Sequence, residues 1–360
     1  LSDAHAVAPT PVCVIFSGIM VSVALFVAGR VYWVVFSDVE PIRHAMQTLL
    51  LNLGAATAVM GGAIAFMQRH IKRLLAFSTI SHMGVMLAGL AILSNGGMAG
   101  FLLYLVGHGL TKAALFMVAG ILMSALGDID ELTLHGRARD LPVAGICFGV
   151  CGLLLAGLPV GAMETGASMI DAALHAEHAL VRVVLAIGSG LTGAAVLRAG
   201  GRVFLGWGPR QGPETESRSK QEGEKKRPQP LLLVPLLIAM VATLVLNGSL
   251  VEGFASRAAA MLRAHDFYVA RVLGGDAPLP AIVATHHEGP LMGWIGVAVA
   301  LAVAGLELGS EKMPRWLAQS LAAAARPLAI LVDRVHTGFI GDYAVWASVG
   351  VVMIGAMFVF

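Results

Sequence analysis

Residues Phe101–Met117 read FLLYLVGHGLTKAALFM, and this stretch decides the fold. Apolar residues extend from about 97 to 126, and about 20 such residues suffice to cross a bilayer as a helix. Lys112 stands near the middle of that run, with His108 one helical turn before it on the same face. An ammonium at mid-bilayer costs about 2.5–3.5 kcal/mol on insertion scales, so it must face protein or trapped water. Two explanations are open. Lys112 is a structural cation paired with a carboxylate of another helix, or it is a switchable charge on a proton or ion path.

The rest of the chain agrees with a membrane location. Of 360 residues, 57% are hydrophobic and 13% charged; an ordinary soluble domain carries about 25% charged residues. The mean hydropathy is +0.81. A net charge of +2 gives no footprint for nucleic acid. Cys13, Cys147 and Cys151 all lie in apolar runs and read as small hydrophobes. The chain starts at Leu1 with no basic segment before an apolar core, so no signal peptide is expected, and upstream sequence is expected to be missing.

Apolar periodicity predicts an all-α, polytopic bundle of about nine spans, near 12–36, 47–66, 74–93, 97–126, 142–160, 179–205, 231–251, 291–308 and 343–360. Span four is long enough to tilt or break. Gly157-Leu158-Pro159, followed by the small residues of 161–168, predicts either a helix interrupted inside the membrane or a plain helix end. Residues 208–230 are rich in Pro, Gly, Ser, Glu and Lys and read as a solvated, disordered loop. They separate a core of residues 1–207 from an extension of 231–360. In that extension, 254–273 reads as an interfacial helix and 312–335 as an amphipathic helix on the membrane surface. Arg69, Lys72, Arg73, Arg137, Arg139, the cluster at 220–227, Lys312, Arg315 and Arg326 fall on one side, which the positive-inside rule assigns to the cytoplasm.

Several polar residues compete for roles. His82 lies mid-span beside Ser78, Thr79 and Ser81, and is either a satisfied core residue or a relay partner of His108. Lys72, at a helix start beside Arg73, reads first as a snorkelling or headgroup-binding lysine. His175, Glu177 and His178, and the run His286-His287-Glu288, have metal-like spacing but lack companion ligands. A haem between His82 and His108 is the remaining reading of the two mid-membrane histidines. No phosphate loop, dinucleotide fingerprint or other cofactor motif is present in the sequence.

Four segments, in order, carry a resemblance. Leu1-Ser2-Asp3-Ala4-His5 with Ala8-Pro9-Thr10-Pro11-Val12 resembles an L-P-D-A-H…A-P-T-P-V signature. Residues 71–82, IKRLLAFSTISH, resemble D-[LI]-K-R-L-L-A-Y-S-T-[IV]-S-[HQ]. Residues 108–116, HGLTKAALF, resemble H-A-[LF]-[FT]-K-A-L-L-F, and Ala156-Gly157-Leu158-Pro159 resembles A-G-L-P-P. The signatures are those of the antiporter-like membrane subunits of respiratory complex I, multisubunit cation/proton antiporters and membrane-bound hydrogenases. The tail, with a span, an amphipathic segment and a last span, is similar to the lateral-helix ending of the distal complex I subunit.

The resemblance implies a multi-pass proton- or cation-translocating subunit in the cell inner (plasma) membrane, assembled with other membrane subunits, moving H+ or Na+. Any redox chemistry would lie in partner subunits, with no cofactor in this chain. It implies a relay of Lys112, His108, His82 and Lys72, and a broken-helix site at Pro159 and Glu164. The family's first half, with its earlier lysine and glutamate, would precede Leu1. Departures from the pattern are Ser17 and Ser22 where the family often has Lys or His, and Val160 in place of a second proline. The family's charged position falls near Ala167, with Glu164 or Asp171 as substitutes. A structural subunit that keeps the fold without conducting is the alternative.

Overall fold

The computed structural model describes residues 2–36, 40–210, 229–246, 248–276, 278–281 and 287–314, with isolated helical positions beyond. Among these residues there is no strand, only a single bridge between His70 and Asp130. Helices α1 (Ser2–Val7), α2 (Thr10–Ile15) and α3 (Val21–Val31) open the chain, α2 and α3 being joined by a π-helical turn. There follow α4 (Glu40–Met67), α5 (Ile71–Ala91), α6 (Asn95–Leu126), α7 (Pro142–Ala156), α8 (Gly161–Leu174) and α9 (Ala179–Gly200). The described chain continues with α10 (Gln229–Val245), α11 (Gly248–Arg263), α12 (His265–Val272) and α13 (Leu291–Leu308).

Among the described residues, seven helical stretches are long and apolar enough to span a membrane: Thr10–Val34, Arg43–Met67, Ile71–Ala91, Asn95–Leu126, Pro142–Leu174, Ala179–Leu205 and Leu291–Leu308. They correspond to seven of the nine expected spans. The span expected at 231–251 ends early: its apolar run is Leu231–Val245, shorter than a full crossing, and α11 begins at Gly248. The span expected at 343–360, most of the surface segment at 312–335 and residues 211–228 of the loop lie outside the described residues.

α5 and α6 form the centre. The N-terminus of α5 is capped by the His70 ring, which accepts the Arg73 N–H, and α6 is capped by Ser94, which accepts from Gly97 at 3.0 Å. α6 runs for 32 residues without a break in its helical assignment. α8 lies against it where small residues meet: a methyl group on Gly100 would stand 2.7 Å from the Gly166 carbonyl.

At Gly157-Leu158-Pro159, read from sequence as either an interruption or a helix end, α7 stops at Ala156 and α8 starts at Gly161 within one apolar stretch, Pro142–Leu174. Gly157 takes φ +108°, a conformation only glycine holds cheaply, and the Leu158 N–H turns back to the Leu153 carbonyl at 2.9 Å. Pro159 has no N–H to continue the ladder. Glu164 then falls in the first turn of α8, at the positive end of that helix.

The interfacial helix expected at 254–273 is two helices. Arg30 donates to the Leu262 carbonyl at 2.5 Å, occupying the acceptor a continuing helix would use, and α12 starts three residues later. Arg30 also stacks on Tyr268, and Arg263 bonds Asn95 and lies over Trp33. α11 buries Ala255, Ser256, Ala259 and Ala260, so one side of it is a protein contact and not a membrane surface.

On the basic face, the loop at 127–141 is locked by charge. Glu131 is fully buried between Arg198 and Arg202, Arg202 also reaches Glu307 at 2.7 Å, and Arg198 donates to the Gln68 carbonyl at 2.7 Å. Arg69 pairs with Asp130 at 3.1 Å. His70, at the start of α5, is pushed down to about 4 by burial and by the charges of Arg73 and Lys72.

Candidate functional site

Lys112 is completely buried, and among the described residues no carboxylate pairs with it. This overturns the first explanation, a lysine held by an ion pair. Its Nζ instead donates to the Leu75 carbonyl at 3.0 Å and to the Ser78 hydroxyl. The cradle is local to α5. Ser78 and Thr79 both donate their hydroxyls to the same Leu75 carbonyl, at 2.9 and 3.0 Å. Thr79 in turn meets Ser17 of the first span at 2.6 Å. Hydroxyls bonding back one turn are a common way for Ser and Thr to sit inside a helix. Here they also build a polar niche for an ammonium.

One turn along α6, toward the face opposite the basic loops, is His108. It is fully buried and, among the described residues, neither ring nitrogen has a hydrogen-bond partner. Its ring lies 5.2 Å, centroid to centroid, from that of His82 and 6.5 Å from that of Tyr104. His82 is held on both sides, by the Tyr104 hydroxyl at 2.7 Å from Nδ1 and by Thr192 at 3.0 Å from Nε2. With both nitrogens of His82 engaged, the geometry does not offer paired axial ligands for a haem, and that reading fails.

Lys72 departs from expectation. It is 2% exposed, and its Nζ donates to the Ala8 carbonyl at 3.0 Å beneath α1. It therefore does not snorkel to a headgroup. It lies one turn before Leu75 on α5, on the basic-face side of Lys112. Beside it, Arg73 pairs with Asp3 at 3.2 Å.

Pro159 and Glu164 belong to a different part of the bundle. Glu164 lines a cavity of about 70 Å³ open to water-sized molecules, together with Tyr104, Ala167, Asp171, Arg182 and Ser189. Tyr104 is thus shared: its hydroxyl bonds His82, and it forms part of the cavity wall. Ring contacts and a hydrogen bond thus join His108, His82 and Tyr104, the last of which reaches the cavity wall.

Sequence reasoning missed Tyr104, Thr192 and the Asp171–Arg182 pair. Tyr104, His108 and Lys112 recur every four residues on one face of the opening stretch, a signal that was available. Thr192 and Arg182 become visible only when α9 packs on α5 and α8. His287, one of the residues with metal-like spacing, bonds Glu252 at 2.6 Å and Ser168 at 3.3 Å.

Comparison with known proteins gives the class. Residues 1–192 match the family described as NADH:quinone oxidoreductase/Mrp antiporter, transmembrane. The chain belongs to this family of antiporter-like membrane subunits. It is 33% identical over 194 residues to the hydrogenase-4 component F homolog of Methylacidiphilum infernorum, covering 52% of this chain and 39% of that protein. It is 27% identical over 241 residues to a Na(+)/H(+) antiporter subunit of Alkalihalophilus pseudofirmus, covering 66% and 46%. The chain spans about half, or less, of the length of the curated relatives it matches. Among solved structures, a chain of the Mrp complex from Dietzia sp. superposes with a TM-score of 0.64 at 24% identity, over 76% of this chain and 57% of that one. A chain of respiratory complex I from Thermus thermophilus gives 0.54 at 23%, over 72% and 52%. These two likenesses establish the shared fold.

Proposed function

We propose that this chain is a proton- or cation-translocating subunit of a multi-subunit complex in the plasma membrane, with its basic face toward the cytoplasm. Lys112 is the switchable charge. His108 is the adjacent proton carrier, His82 and the hydroxyls of α5 line the route, and Lys72 stands at its cytoplasmic end. The observation that carries this reading is a fully buried lysine with a carbonyl and a hydroxyl for partners and, among the described residues, no carboxylate. A permanent ion pair would hold the proton in place. A dipolar cradle lets the amine lose its proton without stranding a buried anion. His108 supports it, because an imidazole with two unpartnered nitrogens is available to exchange a proton at either one. Redox chemistry, where the complex performs it, resides in partner subunits. The likeness to a Na(+)/H(+) antiporter subunit motivates the choice of ions, H+ or Na+.

The test is Lys112→Ala in membranes that carry the assembled complex. Ion movement coupled to the complex's reaction is expected to fall to background while assembly is retained. Ion movement equal to that of the unaltered chain would remove the relay reading. It would leave the second reading, a structural subunit, which Ser22 and Ala167 favour. Ser22 is buried without a hydrogen-bond partner, and Ala167 places a methyl group on the cavity wall.

A further inference from the structure

The cavity beyond Tyr104 has a charged rim. Asp171 of α8 and Arg182 of α9 form a two-pronged pair at 2.5 and 2.6 Å, with side chains only 11% and 14% exposed. Both residues line the cavity, and Arg182 has a second carboxylate within reach. Glu288, 46% exposed in the segment before α13, lies 3.6 Å from the same guanidinium. Arg182 therefore stands between an inner carboxylate on the cavity wall and an outer one in the more open surroundings. The segment bearing Glu288 is tied to two helices. His287 bonds Ser168 of α8 and Glu252 of α11, and the Glu288 N–H approaches the Ser168 carbonyl at 3.5 Å.

We infer that Arg182 is a gate residue at the end of the bundle opposite the basic loops. Its guanidinium swings between Asp171, which covers the vestibule holding Glu164 and Ala167, and Glu288, which uncovers it. Once Arg182 has moved to Glu288, the vestibule is lined by the carboxylates of Glu164 and Asp171 and attracts cations over anions. The gate's purpose rests on the ion-path reading above. Its motion does not, and can be measured without any ion flow.

The experiment places a single reporter thiol in the vestibule, Ala167→Cys, in the full chain in its native membrane. The buried Cys13, Cys147 and Cys151 serve as internal controls for folding. Labelling uses a small cationic methanethiosulfonate and its anionic counterpart. Removing the inner lock with Arg182→Gln is expected to raise the cationic labelling rate about tenfold. The cationic reagent should outpace the anionic one, with the native thiols unlabelled. Glu288→Gln, which removes only the outer partner, is expected to slow labelling by holding Arg182 on Asp171. An unchanged rate in Arg182→Gln overturns the gate. Should Arg182→Gln also expose the native thiols, Glu288→Gln decides: slower labelling upholds the gate, and unchanged or faster labelling overturns it. Adding Lys112→Ala leaves these rates as they are, so loss of the relay and loss of the gate are read separately.

Discussion

Two sets of buried charges in this bundle are built on opposite terms. On the basic face, Glu131 is fully buried with Arg198 on one side and Arg202 on the other, and Arg202 is shared with Glu307. At the centre, Lys112 is equally buried and, among the described residues, meets no carboxylate, and His108 beside it has no hydrogen-bond partner among them. The first arrangement holds a loop, three helices and their carbonyls in one geometry. The second leaves its charge weakly determined. Saturated charges fix structure, and unsaturated ones are left free to change state.

The comparison can be broken at several points. The largest stability effect is expected at Glu131→Gln, which keeps the shape but removes the buried anion between two arginines, leaving Arg198 with carbonyl acceptors alone. A loss of about 3–5 kcal/mol, seen as reduced resistance to thermal unfolding in detergent, follows from breaking a buried pair on one side only. A loss below about 1 kcal/mol would show the cluster to be decorative. Next is Tyr104→Phe, which leaves Nδ1 of His82 without its partner and should cost about 1–3 kcal/mol. A matching slowing of ion movement would place Tyr104 in the route and not merely in the core. Lys112→Met sharpens the contrast by sign. It removes a buried charge that has no counter-ion, so thermal stability should be unchanged or slightly raised even as ion movement is lost. A drop as large as that of Glu131→Gln would erase the distinction between the two regions.

The smallest effect concerns pH. His70 titrates near 4 in the folded chain and near 6.5 when unfolded. Between those values the unfolded state takes up a proton that the folded state refuses, so this stabilisation is lost as pH falls from about 6.5 toward 4. His70→Asn keeps a side-chain acceptor for the Arg73 N–H and removes the titration. Its unfolding temperature should therefore change less across that window than that of the unaltered chain.

The fold was largely legible because hydropathy and length report directly on spans, and Gly157-Leu158-Pro159 reports directly on a broken ladder. Lys112 and His108 were legible for a related reason: a mid-membrane charge stands out against an apolar run. The partners were not. Whether Lys112 met a carboxylate or a carbonyl depended on how α6 packs on α5, and no spacing within either helix encodes that choice. Arg182 and Asp171 were hidden for the same reason, being eleven residues apart across a helix end. Lys72 was misread because its neighbours Arg73 and Arg69 suggested a surface. α1, a short helix from the start of the chain, covers it.

The Leu75 carbonyl carries a consequence of its own. Three side chains, Lys112, Ser78 and Thr79, direct donors at that one peptide oxygen. Were the lysine to give up its proton, Ser78 could turn its single hydrogen toward the now basic nitrogen while the Thr79 hydroxyl stays on the oxygen. The acceptor is never orphaned in either state. The cradle is thus degenerate: it holds the ammonium and the amine with the same atoms, and no side-chain substitution can remove the peptide oxygen at its centre.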